Sequence, residues 1–307
     1  MAFGFFTAAN AQDEMIYNHY IINPVLVNPA ATGANGGQNF FLHYKNQWTG
    51  FPGAPSTVAI NYNGAVSSKM GLGAYVSSEN IAYQNRLRAL LSYSFRFKIN
   101  DFKAALGLST EFKRMGLSND VLNHPLIKAG DPIVENNLAG VSYFDATVGF
   151  YGVYQDKLTV SFSMPNLIQA KLGEVGVGSG ETNGGFKYYT FMLGYKQKAG
   201  AITLEPSIMM KKLQYAPFQV DLNVKASFLD ERVMGGVSYR AGAGGGLGIM
   251  VGTKYNGVTF AYSYDYGLNR FQQYSTGAHE LTVGYSIFKK TASSEDMIER
   301  SGGNYSN

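Results

Sequence analysis

Four histidines, His19, His43, His124 and His279, are the side chains best suited to move protons or bind a metal near neutral pH. Their spacing argues against both uses. His279 and Glu280 are adjacent, but no second histidine stands four residues on, so the helical zinc-hydrolase pattern HExxH is missing. His124 and Asp131 share one long loop in which nothing marks a nucleophile or an activated water, which leaves a rim hydrolase as a formal alternative only. The phosphate loops GxxxxGK(S/T) and GxGxxG and the nucleophile elbow GxSxG are also missing. We therefore expect no enzyme, no catalytic residue, no metal ligand and no cofactor.

The other chemistry-bearing residues are charges at every second position. Arg86, Arg88, Ser92, Ser94, Arg96 and Lys98 share one parity, and Leu87, Ala89, Leu91, Tyr93, Phe95 and Phe97 share the other. Next come Lys103, Ser109, Glu111 and Lys113, and further along Glu205, Asp221, Lys225, Asp265 and Glu280 on the same kind of face. Charges enclosed in this way form a paired ionic network that fills an interior, or line a pore that selects solutes.

The elements that carry these charges have a period of two. Residues 218–228 show it best: Phe218, Val220, Leu222, Val224, Ala226 and Phe228 point one way, Gln219, Asp221, Asn223, Lys225 and Ser227 the other. About fourteen such segments run between residues 39 and 288, which predicts an all-β, up-and-down antiparallel transmembrane barrel. Tight turns at Asn100-Asp101, Asp156, Ala199-Gly200, Asp230-Glu231 and Asn256-Gly257 mark one end, and the long links 116–143, 165–185 and 267–278 mark the other. An even strand count puts both termini on one side, the periplasm in exported barrels.

Composition agrees. Only 15% of residues are charged and 14% are aromatic, with 22 Tyr, 20 Phe and one Trp, whereas a soluble domain carries roughly a quarter charged residues. A soluble β-sandwich is the alternative, but it has no reason to sort its loops by length. No run of about 20 apolar residues predicts a membrane helix. A net charge of +4 without a basic aromatic-laced run gives no reason to expect nucleic acid, and the lack of cysteine excludes disulfides and a lipidated N-terminal cysteine.

Residues 1–11 read as the end of a secretory signal, with Ala9-Asn10-Ala11 as an A-x-A cleavage pattern but no basic n-region. Residues 12–38 show no alternation; Asn23-Pro24 and Asn28-Pro29 predict a turn-rich, plug-like periplasmic lead-in folded back into the barrel mouth. Residues 39–288 form the barrel. Residues 289–307 are a polar, periplasmic and disordered tail, or a contact to a periplasmic ring through Glu295, Asp296 and Ile298.

Gln12-Asp13, Tyr20-Ile21-Ile22-Asn23-Pro24, Val27-Asn28-Pro29-Ala30-Ala31-Thr32-Gly33 and Tyr44-Lys45-Asn46-Gln47-Trp48-Thr49-Gly50-Phe51-Pro52-Gly53-Ala54-Pro55 follow one another in order. Asp131-Pro132, Tyr188-Tyr189, Tyr264-Asp265 and Gly277-Ala278-His279-Glu280-Leu281 complete the set. Together they resemble the PorP/SprF family of the type IX secretion system over about residues 12–285. Lys45 stands where the family usually has arginine, replacing a bidentate contact by a point charge, and Glu14 replaces a common proline. The resemblance implies an integral protein of a bacterial outer membrane, embedded in its lipid. It implies a partner too: a secreted cargo or gliding adhesin with a type IX C-terminal domain, with the periplasmic ring lipoproteins of the same machine as further contacts.

If a partner is gripped, the grip falls to the outer loops. Trp48, Phe51, Pro52 and Pro55 make a rigid apolar tip, readable as a partner contact or as an aromatic-girdle anchor. Asp131 and Pro132 in one long loop and Lys171 and Glu174 in the next are the other candidates, since loops of this size are usually functional or disordered. The glycine-rich stretch 171–185 is expected to be mobile until something orders it. The rival function is an outer-membrane transporter or channel of the fatty-acid-transporter type, whose N-terminal hatch also carries Asn-Pro-Ala.

Overall fold

The computed structural model describes residues 17–124, 127, 131–172, 187–213, 217–242, 245–268 and 270–287. The predicted leader, the tail and Glu174 lie outside them. The strands are β1 (Gln38–Asn46), β2 (Ser56–Ala65), β3 (Met70–Ile81), β4 (Gln84–Ile99), β5 (Phe102–Leu117), β6 (Val141–Tyr154), β7 (Leu158–Met164), β8 (Ala170–Leu172), β9 (Tyr189–Tyr195), β10 (Gln197–Ala199), β11 (Ile202–Lys212), β12 (Gln219–Phe228), β13 (Val233–Gly242), β14 (Gly246–Tyr255), β15 (Val258–Gly267) and β16 (Ala278–Ile287).

These make one closed antiparallel barrel of fourteen strands, as the alternation predicts. β9 and β10 are consecutive pieces of a single barrel strand, and β9 pairs with both β7 and β11 to complete the ring. β8 is a short addition beside the long-loop end of β6. β1 closes against β16 with Lys45 opposite Glu280 and His43 opposite Thr282. Closure leaves the fourteen-strand ring without a free edge, which is what a hydrocarbon surround demands of a strand protein.

The barrel is apolar outside and polar inside. On β1, Phe40, Leu42 and Tyr44 are exposed while Asn39, His43 and Lys45 are buried; on β12, Leu222 and Val224 are exposed while Asp221 and Asn223 are buried. A soluble fold would invert this. The long-loop end also holds short links: β3 and β4 join through Ala82 and Tyr83, with Ala82 at φ 50°, and only residues 243–245 separate β13 from β14.

Residues 17–33 lie inside the barrel, and residues 34–36 are exposed where the chain turns into β1. Three 3-10 turns, Asn18–Ile21, Pro24–Leu26 and Pro29–Ala31, form a plug running from the long-loop half of the lumen to the short-turn end, where it enters β1. Proline at the first position of the second and third turns sets φ and removes an N–H that would have no partner there. The wall makes room with glycine. A Cβ at Gly149 would sit 2.0 Å from Asn28 Oδ1, and one at Gly107 2.2 Å from the Ala30 nitrogen, so the plug touches the wall backbone to backbone.

Candidate functional site: plugged lumen and long-loop rim

The plug is held by side chains from strands on all sides. Asn28 caps its own turn by accepting from the Ala30 N–H (2.9 Å) and donates to the Phe150 carbonyl and Ser161 Oγ (both 2.8 Å). Asn23 donates to Asn61 Oδ1 at 3.0 Å, Thr32 shares a hydrogen bond with Ser92 at 2.9 Å, and Tyr17 one with Tyr75 at 2.8 Å. Ser163 Oγ donates to the Val27 carbonyl at 2.8 Å, and Asn223 to the Tyr20 hydroxyl at 2.8 Å. Apolar contacts fill the gaps: Tyr17 packs with Ala59 and Tyr75, and Tyr20 with Met192 and Met209.

Charged wall residues pair because the strand register sets them side by side. Lys45 Nζ lies 3.3 Å from Glu280 Oε2, and Glu280 also accepts the Asn18 N–H (2.8 Å) and the His19 N–H (3.1 Å). Asp221 sits between Lys211 (2.9 Å) and Arg240 (3.1 Å), its neighbour across β12 and β13. Asp265 accepts from Asn18, which in turn accepts from Arg240. Arg88 bonds Glu111, and Lys113 reaches both Glu111 (3.1 Å) and Asp145 (3.7 Å), two carboxylates placed opposite each other by the β5–β6 register. Glu205 pairs with Lys225 at 3.0 Å and Arg86 with Glu79 at 3.3 Å. Arg96 caps the plug's exit by donating to the Gly33 carbonyl.

Lys103 falls elsewhere. It stands at the short-turn rim, half-exposed, 2.6 Å from Asp156, outside the lumen network the sequence suggested. Position explains this: it is the second residue of β5, too near the turn to reach inward. Its hydrogen bond holds the Asp156 carboxyl below the usual range. Glu79, Asp145, Lys45, Lys211 and Arg240 belong to the network as well, each beside a charged residue that the alternation turns inward.

The long-loop rim is strapped. Thr49 N–H donates to the Gly277 carbonyl (2.9 Å) and Thr276 N–H to the Thr49 carbonyl (2.7 Å), joining the 47–55 loop to the 268–277 loop. Ala82 N–H reaches the Gly53 carbonyl (3.0 Å), Ser118 N–H the Tyr83 carbonyl (2.7 Å), and Tyr83 meets His124 edge-on at 5.8 Å. The result is a continuous arc from β15 to β5. Trp48 and Phe51 are exposed on this arc at 41% and 43%, with Trp48 in the left-handed backbone region at φ 53°. Pro52 is exposed and Pro55 buried. Asp131 lies at the start of a helix, α1 (Pro132–Ala139), which packs on β5, and Lys171 is exposed on β8 beside β6. The rim candidates thus fall on two arcs, one over β1–β2 and one over β5–β6.

Between plug and wall lies a cavity of about 110 Å³, lined by Leu26, Pro29, Tyr75, Arg88, Glu111 and Lys211 among others.

A closed barrel with lipid-facing aromatics and an ionic, plugged interior is an integral outer-membrane protein. Solved barrels of that class share the fold. The toluene transporter TbuX of Ralstonia pickettii is 8% identical at a TM-score of 0.50, covering 87% of this chain and 93% of that one. A mutant of the monoaromatic hydrocarbon channel TodX is 10% identical at 0.50, covering 89% and 95%. No functionally curated protein matches the chain. The chain belongs to the family of the type IX secretion system membrane protein PorP/SprF, whose model matches residues 9–285.

Proposed function

We propose that this protein is a non-enzymatic anchor: a rigid outer-membrane barrel that holds a secreted partner of the type IX system, cargo or adhesin, on its long-loop face. The observation that carries this reading is the plug. A segment bonded to β2, β3, β4, β6, β7, β12, β13, β15 and β16 fills the lumen where a solute would pass. Freeing it would leave many buried polar groups without partners at about 1–3 kcal/mol each. Rigid walls and a strapped rim displaying Trp48 and Phe51 suit a gripping surface, since aromatic anchors on stiff supports dominate protein interfaces. In this reading the long loops face outward, the short turns and the end of β16 face the periplasm, the plug starts in the long-loop half of the lumen, and the tail 289–307 is available to the periplasmic ring.

Deleting residues 165–185 tests the reading. The barrel is expected to keep its heat-modifiable gel mobility while its partner no longer co-purifies. Unchanged recovery of the partner removes that loop from the receptor face.

The cavity between plug and wall favours the transporter as second reading. It has an apolar floor from the plug, but Arg88, Glu111 and Lys211 line its sides. Solute uptake or conductance by the purified barrel in liposomes would support transport, and a silent barrel would support anchoring.

A further inference from the structure

We propose that His19, His43 and Glu280 bind a single transition-metal ion of the zinc, cobalt or nickel kind, which fastens the plug to the wall. One donor atom from each residue lies within 4.8 Å of the other two, and all three side chains are buried. His19 belongs to the first plug turn, His43 to β1 and Glu280 to β16, so an ion here would join three separate pieces of chain.

The histidines are in an awkward position as they stand. Nδ1 of His19 lies 2.6 Å from Thr282 Oγ1, and Nδ1 of His43 lies 2.7 Å from the same oxygen. A threonine hydroxyl has one proton, so it can donate to only one of them; the other ring must carry its own proton on Nδ1 and donate. The carboxylate oxygen Oε1 of Glu280, 3.4 Å from His19 Nδ1, favours His19 as the protonated one. Whichever way this falls, one ring keeps an Nε2–H and the other a bare Nε2 lone pair. Both Nε2 atoms are buried without a hydrogen-bond partner. Buried imidazole nitrogens are ordinarily satisfied by protein or water, so two orphaned ones beside a carboxylate invite a ligand.

A metal ion fits this donor set. Two imidazoles and a carboxylate are the common ligands of zinc and its neighbours, at bond lengths of about 2.0–2.2 Å. Binding would require rotation of the two rings and the carboxylate to close donor–donor separations of up to 4.8 Å to the roughly 3.3 Å that such bonds set at a tetrahedral ion, and turning a ring over would offer its orphaned Nε2 instead. Thr282 Oγ1 is placed to take a fourth position or to accept from a ligating ring. The supporting shell is present too. Glu280 Oε2 is held by Lys45 and the Asn18 N–H, and Oε1 receives the His19 N–H, so the carboxylate is oriented before any ion arrives. The Lys45 ammonium opposes a dication, and ion and lysine would share the carboxylate, one on each oxygen.

The test uses the untagged, full-length barrel in detergent, stripped with chelator and titrated with Co²⁺ for visible ligand-field absorption and with Zn²⁺ by calorimetry. The expected result is one equivalent per chain, with uptake weakened at least about tenfold in His19→Ala and in His43→Ala. His124→Ala and His279→Ala remove the only other histidines and are expected to bind as the parent does. Gel mobility reports whether each variant remains a folded barrel, and Zn²⁺ should raise the temperature at which the parent loses that mobility. Absence of saturable uptake by the parent overturns the site, whatever the variants do. So does a folded His43→Ala barrel that binds as tightly as the parent.

Discussion

The same ion-pair chemistry serves two regions of this molecule under opposite conditions. In the lumen, Lys45 and Glu280 are each 1% exposed and Lys211 and Asp221 are 3% and 2% exposed. At the short-turn rim, Lys196 and Glu231 meet at 2.6 Å with 43% and 49% exposure. The rim pair is the shorter, yet its attraction is diluted by water and salt, and such pairs contribute about 0–1 kcal/mol. The lumen pairs have given up hydration for fixed partners. Removing one member strands the other in a place it cannot leave. Contact distance alone therefore misranks these interactions, and burial with hydrogen-bond count ranks them.

Four substitutions would break or sharpen that contrast. The largest effect is expected from Glu280→Ala, which removes a carboxylate from buried Lys45 and takes from two plug N–H groups their acceptor. A loss of about 3–5 kcal/mol, seen as a lower urea midpoint for loss of barrel mobility, is the expected outcome. Gly149→Val follows, because its side chain must displace Asn28 and the turn behind it, at about 1–3 kcal/mol; a loosened plug should also raise conductance in planar bilayers. Asn28→Ala creates no clash but leaves the Ala30 N–H and three wall acceptors short of a partner, at about 1–3 kcal/mol in the same denaturation assay. Glu231→Gln closes the series with a shift of at most about 1 kcal/mol and no change in conductance. Equal effects from Glu280→Ala and Glu231→Gln would remove the distinction between lumen and rim.

The barrel was legible in the sequence because its physical cause is periodic. Each strand separates lipid from an ionic interior, so parity along residues 218–228 or 86–97 states which way every side chain points. The plug has no such period. Its prolines at Pro24 and Pro29 announce turns, but Tyr17, Asn18 and Tyr20 find their partners across the lumen, which no local pattern encodes. One signal does exist in the wall: Gly71, Gly73, Gly107 and Gly149 occupy strand positions where a Cβ would strike the plug or the side chains beside it. Inward glycines among polar neighbours mark where something must pass close by. The grouping of His19, His43 and Glu280 was invisible for a similar reason, since β1 and β16 meet only when the ring closes.

That meeting has a consequence for assembly. The plug runs without a spacer into β1, and the carboxylate receiving its first two amide groups is carried by β16, the strand that seals the ring against β1. Plug lodging and barrel closure are therefore coupled through one carboxylate. A nascent chain that has not yet delivered β16 can lodge the later plug turns against β2, β3, β4, β6 and β7, but lacks the acceptor for the first two plug amides.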